Sequence, residues 1–128
     1  MAEERVSQLF NDPQFVKMYK MGEKFTGTWA RELLERAHFK DDLSKMQKLV
    51  VLDNACGTGI VSAKLMAMAD DSAASKVDLT CADFSDAMLD VIKKRIETEQ
   101  WHNAKAFKAD AQVQSNSAWH FGFSPDLT

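Results

Sequence analysis

Apolar residues change their spacing along this chain, and each change marks an element. After Asn11-Asp12-Pro13, Phe15, Met18 and Tyr19 recur at helical intervals. Asp12 can cap such a helix, and Pro13 suits its first position. The stretch MGEKFTG (21–27) is expected to break it at Gly22 and Gly27. Thr28 then caps a second helix, WARELLERAHF, whose apolar stripe is Trp29, Leu33, Leu34 and Ala37. Residues 40–47 read as a polar connection. KLVVLD (48–53) is a short continuous apolar run, which predicts a strand buried on both faces. Ile60 to Ala69 predicts a helix, 70–75 a turn, and 76–83 a second strand. Ser85 caps the next helix, with Met88, Leu89, Ile92 and Ile96 on one face. AKAFKAD (104–110) predicts the third strand.

Strands alternating with helices imply parallel pairing through right-handed crossovers. The fold class is α/β: the N-terminal half of a Rossmann-like doubly wound parallel sheet, with three strands, flanking helices and two N-terminal helices. The expected division is a helical cap over 1–47, a βαβαβ half-domain over 48–111 and an irregular tail over 112–128. Within that tail, Trp119, Phe121 and Phe123 alternate with His120 and Gly122, a pattern that also permits one short strand.

Composition narrows the classes. A chain of 128 residues, 45% hydrophobic, can bury the core of one small domain. A net charge of −3 with both signs interspersed lacks the basic field of a nucleic-acid binder. MAEERVSQLF reads as neither signal peptide nor anchor, and no apolar run reaches membrane-span length, so no membrane partner is expected. Cys56 and Cys81 fit no metal spacing. They read as small buried thiols of a reducing, cytoplasmic protein.

The chemistry concentrates in VVLDNACGTGIVSAKLM (50–66). Gly57 and Gly59 stand where a strand turns into a helix, so backbone can approach a ligand there. A dinucleotide site needs a third glycine, which Ser62 replaces. Asp53, four residues before Gly57, would also repel a pyrophosphate. A nucleoside with a cationic, phosphate-free tail fits better, and S-adenosylmethionine is one. Asp53 attracts its ammonium, and loop N–H groups serve its carboxylate. Asp83, ending the second strand, can accept from ribose hydroxyls, with Phe84 offering a face to adenine. Asp110 can accept from the adenine amino group, and the Ala111 N–H can meet a ring nitrogen. A tight turn or a helix cap would each explain one of these residues alone. Three strand-end acids beside one glycine loop, in order, are harder to obtain by chance.

VLDNACGTG, ADFSDAML and KADA resemble the first three motifs of class I S-adenosylmethionine-dependent methyltransferases. The resemblance covers about residues 15–111 and is nearest to the UbiE-like group, in particular to fungal secondary-metabolite enzymes. It implies methyl transfer to a small-molecule acceptor. It implies that Asp53, Asn54 and the Ala55–Gly59 loop hold the methionine end. Asp83 would bind ribose, Phe84 and Met88 would flank adenine, and Asp110 and Ala111 would read its edge. Tyr19 and KFTGTWA would cover the cofactor. Ala55 replaces a common glycine, and its methyl group favours a negative φ. The family fold has seven strands, of which this sequence supplies three; the acceptor wall normally comes from the rest. No catalytic base is therefore nominated: His38 and His102 sit at predicted helix ends, and His120 lies in the tail. The third strand's edge is expected to stand open, so a second copy or another protein is expected to complete the sheet. A non-catalytic cofactor- or partner-binding module is the competing expectation.

Overall fold

The computed structural model describes residues 2–111; the expected tail and its short strand lie outside the described residues. The helix at Pro13 forms as the sequence predicts, over Pro13–Met21 (α2). Its cap is Asp12, whose carboxylate accepts from the Gln14 N–H at 2.7 Å. An unexpected helix precedes it, α1 (Ala2–Phe10).

Two expectations about the cap are corrected. Gly27 and Thr28 do not interrupt or cap a helix, because α3 runs unbroken from Glu23 to Arg36. Gly27 is buried where α3 crosses the helix that follows the glycine loop, and a Cβ there would come within 2.9 Å of Lys64 Cε. Its missing side chain therefore serves close helix packing. Residues 40–47 are likewise no simple connection, since α4 spans Phe39–Lys45. Phe39 and Leu43, one turn apart, both enter the core. His38, in the left-handed region at φ 56°, turns the chain between α3 and α4.

The strands are β1 (Leu49–Asn54), β2 (Val77–Asp83) and β3 (Ala104–Lys108). They pair in parallel in the order β1-β2-β3. Leu49 faces Val77, Asp53 faces Cys81, and Asp83 faces Lys108. The crossovers are α5 (Ile60–Met68) and α7 (Asp86–Thr98). A short helix, α6 (Asp71–Ala74), stands where a turn was expected, capped by Asp70. One core joins Leu79 and Cys81 of the sheet, Leu65 of α5, Ile92 of α7, and Leu34, Phe39 and Leu43 of the cap.

β1 is not buried on both faces. Its residues alternate, leaving Val50 63% and Leu52 42% exposed, and Phe107 of β3 shares that register face. Only β2, with a neighbour on each side, is buried along nearly its whole length. Among the described residues, both outer strands have one unpaired edge, and the apolar exposure is greatest on β1. No described helix is long and apolar enough to cross a membrane.

If α4 is a true core element, Leu43→Ala lowers unfolding free energy by about 2–4 kcal/mol, as buried leucines do. Urea denaturation checks this; a change within about 0.5 kcal/mol, typical of surface sites, would return 40–47 to connection status.

Candidate cofactor-binding site

Parallel strands bring their carboxyl ends to one edge, so Asp53 and Asp83 lie there together, with Asp110 two residues beyond β3. Each meets a different environment. Asp83 is only 6% exposed. Its Oδ2 accepts from the Gly57 N–H at 2.8 Å and its Oδ1 from the Ser85 N–H at 2.9 Å. The carboxylate expected to hold ribose thus already holds the glycine loop, with lone pairs left over for a further donor. Asp53 is half-buried and accepts from Ser62 Oγ at 2.6 Å. Burial raises its carboxyl above the ordinary carboxylate value; hydrogen bonds from Ser62 oppose the shift, and the Asp83 charge adds to it.

The loop itself is built on alternating backbone handedness. Ala55, Gly57 and Gly59 have φ of 56°, 57° and 84°. For Ala55 this corrects the expected negative φ: the alanine occupies a left-handed position that glycine adopts at lower cost. Gly59 caps α5, and a Cβ there would fall 1.9 Å from Ile92 Cδ1, so its missing side chain serves packing between α5 and α7. Gly57 is different. A Cβ there would meet the Tyr19 ring at 3.2 Å, so Tyr19 lies against the loop.

Tyr19 belongs to an aromatic group with Phe15, Phe10 and Phe84, linked at centroid distances of 6.2, 5.1 and 5.8 Å. This group joins the cap to the β2–α7 turn. Ser85 Oγ also donates to the Phe10 carbonyl at 2.7 Å. Met88, expected beside adenine and on the apolar face of its helix, lies in the interior at 1% exposure. Asn54, Ala55, Asp110 and Ala111 are exposed, and the Ala109 N–H bonds the Asp83 carbonyl, anchoring the segment after β3. A cleft of about 430 Å³ opens elsewhere, at the amino ends of the strands around Lys48, Lys76 and Lys105. It lies at the opposite edge from the acids and the glycine loop.

Sequence reasoning missed four residues. Ser62 bonds Asp53, while Thr58, Glu23 and Arg95 form a partly buried network behind the loop. For Ser62 a signal was available, since it takes the place of the third glycine on the first turn of α5. Glu23 and Arg95 gave none, being 72 residues apart. Cys56 and Cys81 are buried, unpaired thiols. Its neighbour Cys81 and burial push the Cys56 thiol up.

The fold is a parallel α/β half-sheet with its acids and glycine loop at one edge, and comparison gives the family. Residues 51–122 match the methyltransferase domain family, to which the chain belongs. It is 37% identical over 121 residues to an acetylaranotin bis-thiomethyltransferase of Aspergillus terreus, covering 94% of this chain and 43% of the relative. It is 34% identical over 116 residues to methyltransferase tpcH of Aspergillus fumigatus, covering 91% and 40%. The chain thus spans less than half the length of these relatives. The fold also matches a solved S-adenosyl-L-methionine-dependent methyltransferase of Methanococcus maripaludis, with a TM-score of 0.55 at 17% identity over 77% of this chain and 42% of the other.

Two substitutions check the loop. Ala55→Gly relieves a left-handed alanine and raises stability by about 0.5–1 kcal/mol, measured by denaturant midpoint. Gly59→Ala forces a methyl group into Ile92 at positive φ and costs about 2 kcal/mol or more.

Proposed function

We propose that this chain binds S-adenosylmethionine at the carboxyl edge of its sheet and serves methyl transfer to a small-molecule acceptor of secondary metabolism. One observation carries the reading: a half-buried carboxylate, Asp53, held beside a loop of small residues on the edge that also bears Asp83 and Asp110. A carboxyl raised by desolvation gains most from a cation, and the ammonium of the methionine end is one. The residues fit the ligand: Phe84 offers a half-exposed ring, and Asp83 retains lone pairs for ribose.

When bound, the sulfonium supplies an electrophilic methyl group. The chain's own part is binding and orientation, which is most of what in-line displacement from a good leaving group requires. Asp53 and Asn54 take the ammonium side, loop amides the carboxylate, and Asp110 with Ala111 the adenine edge. In this reading residues 1–47 act as a cap over the half-domain 48–111. The relatives named as methyltransferases of Aspergillus support a fungal small-molecule role. Buried free thiols suit a reducing cytoplasm. The unpaired edges of β1 and β3 favour a second copy or another protein completing the sheet, and exposed Val50 and Leu52 leave one face of β1 to be covered. The same exposure favours the second reading, a module that keeps the cofactor and acts through a partner without catalysing.

Calorimetric titration with S-adenosylhomocysteine tests the site, and transfer of labelled methyl to candidate acceptors separates enzyme from module. Asp53→Asn weakens ligand binding about tenfold by removing an attraction of order a kcal/mol. Its stability moves the other way. The native state holds the Asp53 proton more tightly than the unfolded chain, so stability falls as pH rises from the ordinary carboxylate value through the raised one. The variant lacks this loss, so at neutral pH it melts no lower than the parent, and its stability declines less from about pH 4 upward. Undiminished affinity in a folded Asp53→Asn would remove the cation argument.

A further inference from the structure

Behind the glycine loop, away from the strand-end acids, lies a largely buried ion pair. Glu23 at the start of α3 and Arg95 on α7 meet at 2.7 Å, with side chains only 14% and 9% exposed. Both also hold Thr58, the fully buried residue between Gly57 and Gly59. The Thr58 hydroxyl donates to Glu23 Oε1 at 2.6 Å. The Thr58 carbonyl accepts from Arg95 Nη1 at 3.0 Å. Arg95 Nε further lies 3.4 Å from Glu99.

We propose that Glu23 and Arg95 are positioning residues that lock the Thr58–Gly59 peptide of the loop and thereby set the affinity for the cofactor's methionine end. This rests on the cofactor reading above. The argument begins with the glycines. Reversing the plane of the Thr58–Gly59 peptide rotates ψ of Thr58 and φ of Gly59, and on the glycine side no Cβ resists the turn. In one orientation the Thr58 carbonyl points to Arg95. Reversed, it would be free to face the ligand side, where it repels a carboxylate. Arg95 holds the carbonyl with one arm of its fork and Glu23 with the other, a geometry only a planar guanidinium offers. Glu23 also accepts from the Thr58 hydroxyl, so the carbonyl and the hydroxyl of Thr58 are both drawn to the α3–α7 side. Asp83 fixes the neighbouring Gly57 N–H from the sheet side. The loop is held between two carboxylates, and the clamp also ties the cap helix α3 to the loop it covers.

The test uses the whole chain and two independent readouts: hydrogen exchange of the ligand-free loop amides 55–60, and S-adenosylhomocysteine affinity by calorimetry. Arg95→Met keeps the stem but removes both donors. It leaves Glu23 buried without its cation, so Glu23→Gln/Arg95→Met is made alongside to remove that charge. In both, loop exchange is expected to rise about tenfold while β2 amides stay protected, and ligand affinity to fall about tenfold. Arg95→Lys, a point charge that reaches Glu23 or Thr58 but not both, should lie between. Loop exchange unchanged in the folded double variant overturns the clamp. So does affinity within about twofold of the parent with a loosened loop. If the parent itself binds no S-adenosylhomocysteine, the cofactor reading and the affinity claim both fall, while loop exchange still rules on the clamp.

Discussion

At the tip of the central strand, the Asp83 carboxylate holds two backbone N–H groups that belong to different elements. One is Gly57 in the glycine loop, the other Ser85 at the start of α7. A buried carboxylate is costly without such donors, and backbone amides at turns are costly without an acceptor. Each need is met by the other. Ser85 then carries the connection outward: its hydroxyl caps α7 at Met88 and reaches the end of α1 through the Phe10 carbonyl. Loop, strand tip, helix start and cap are therefore tied by a short set of hydrogen bonds centred on one side chain.

Asp53 shows the opposite arrangement on the same face. Its main partners, from Ser62, leave it under-compensated, and burial raises its carboxyl. Two acids at one sheet edge are thus separated by environment into different roles. Asp83 is satisfied by the protein and shapes the loop; Asp53 is left with unspent acceptor capacity beside it. In the proposed reading, a ligand's positive charge would complete the electrostatics there.

What was legible in the sequence was whatever depends on local spacing. The Asp12-Pro13 start, the Ser85 cap, the β-α-β-α-β order and the strand-end acids all follow from signals within a few residues, and the family follows from those motifs together. The cap was misread where tertiary packing overrode local propensity. Gly27 looked like punctuation, yet a glycine inside a helix is tolerated where another helix approaches as closely as Lys64 and Ile60 do here. Residues 39–45 carry only two apolar anchors, too few for a periodic signal, although both are buried. Burial of β1 on both faces was inferred from a continuous apolar run, but that inference needs a covering layer that the described residues do not supply. Glu23, Thr58 and Arg95 meet only because α3, the loop and α7 converge, and no spacing rule links them.

Polar satisfaction and apolar exposure are separated across this molecule. Around the loop, the acceptors and donors of Asp83, Glu23, Thr58 and Arg95 are matched within residues 2–111. Apolar surface lies open elsewhere. Val50 and Leu52 occupy one face of β1, and Phe25, Trp29 and Leu33 are exposed along α3, on the side away from buried Gly27, Ala30 and Leu34. A helix with apolar residues on two sides is ordinarily covered on both. The hydrophobic effect is non-directional and acts on whatever apolar partner arrives, whereas the loop depends on directed bonds. Covering α3 or β1 therefore adds burial without being required to form the loop. The edge that bears the acids and the glycine loop carries its own geometric determinants, and association through the apolar faces is a separate thermodynamic event.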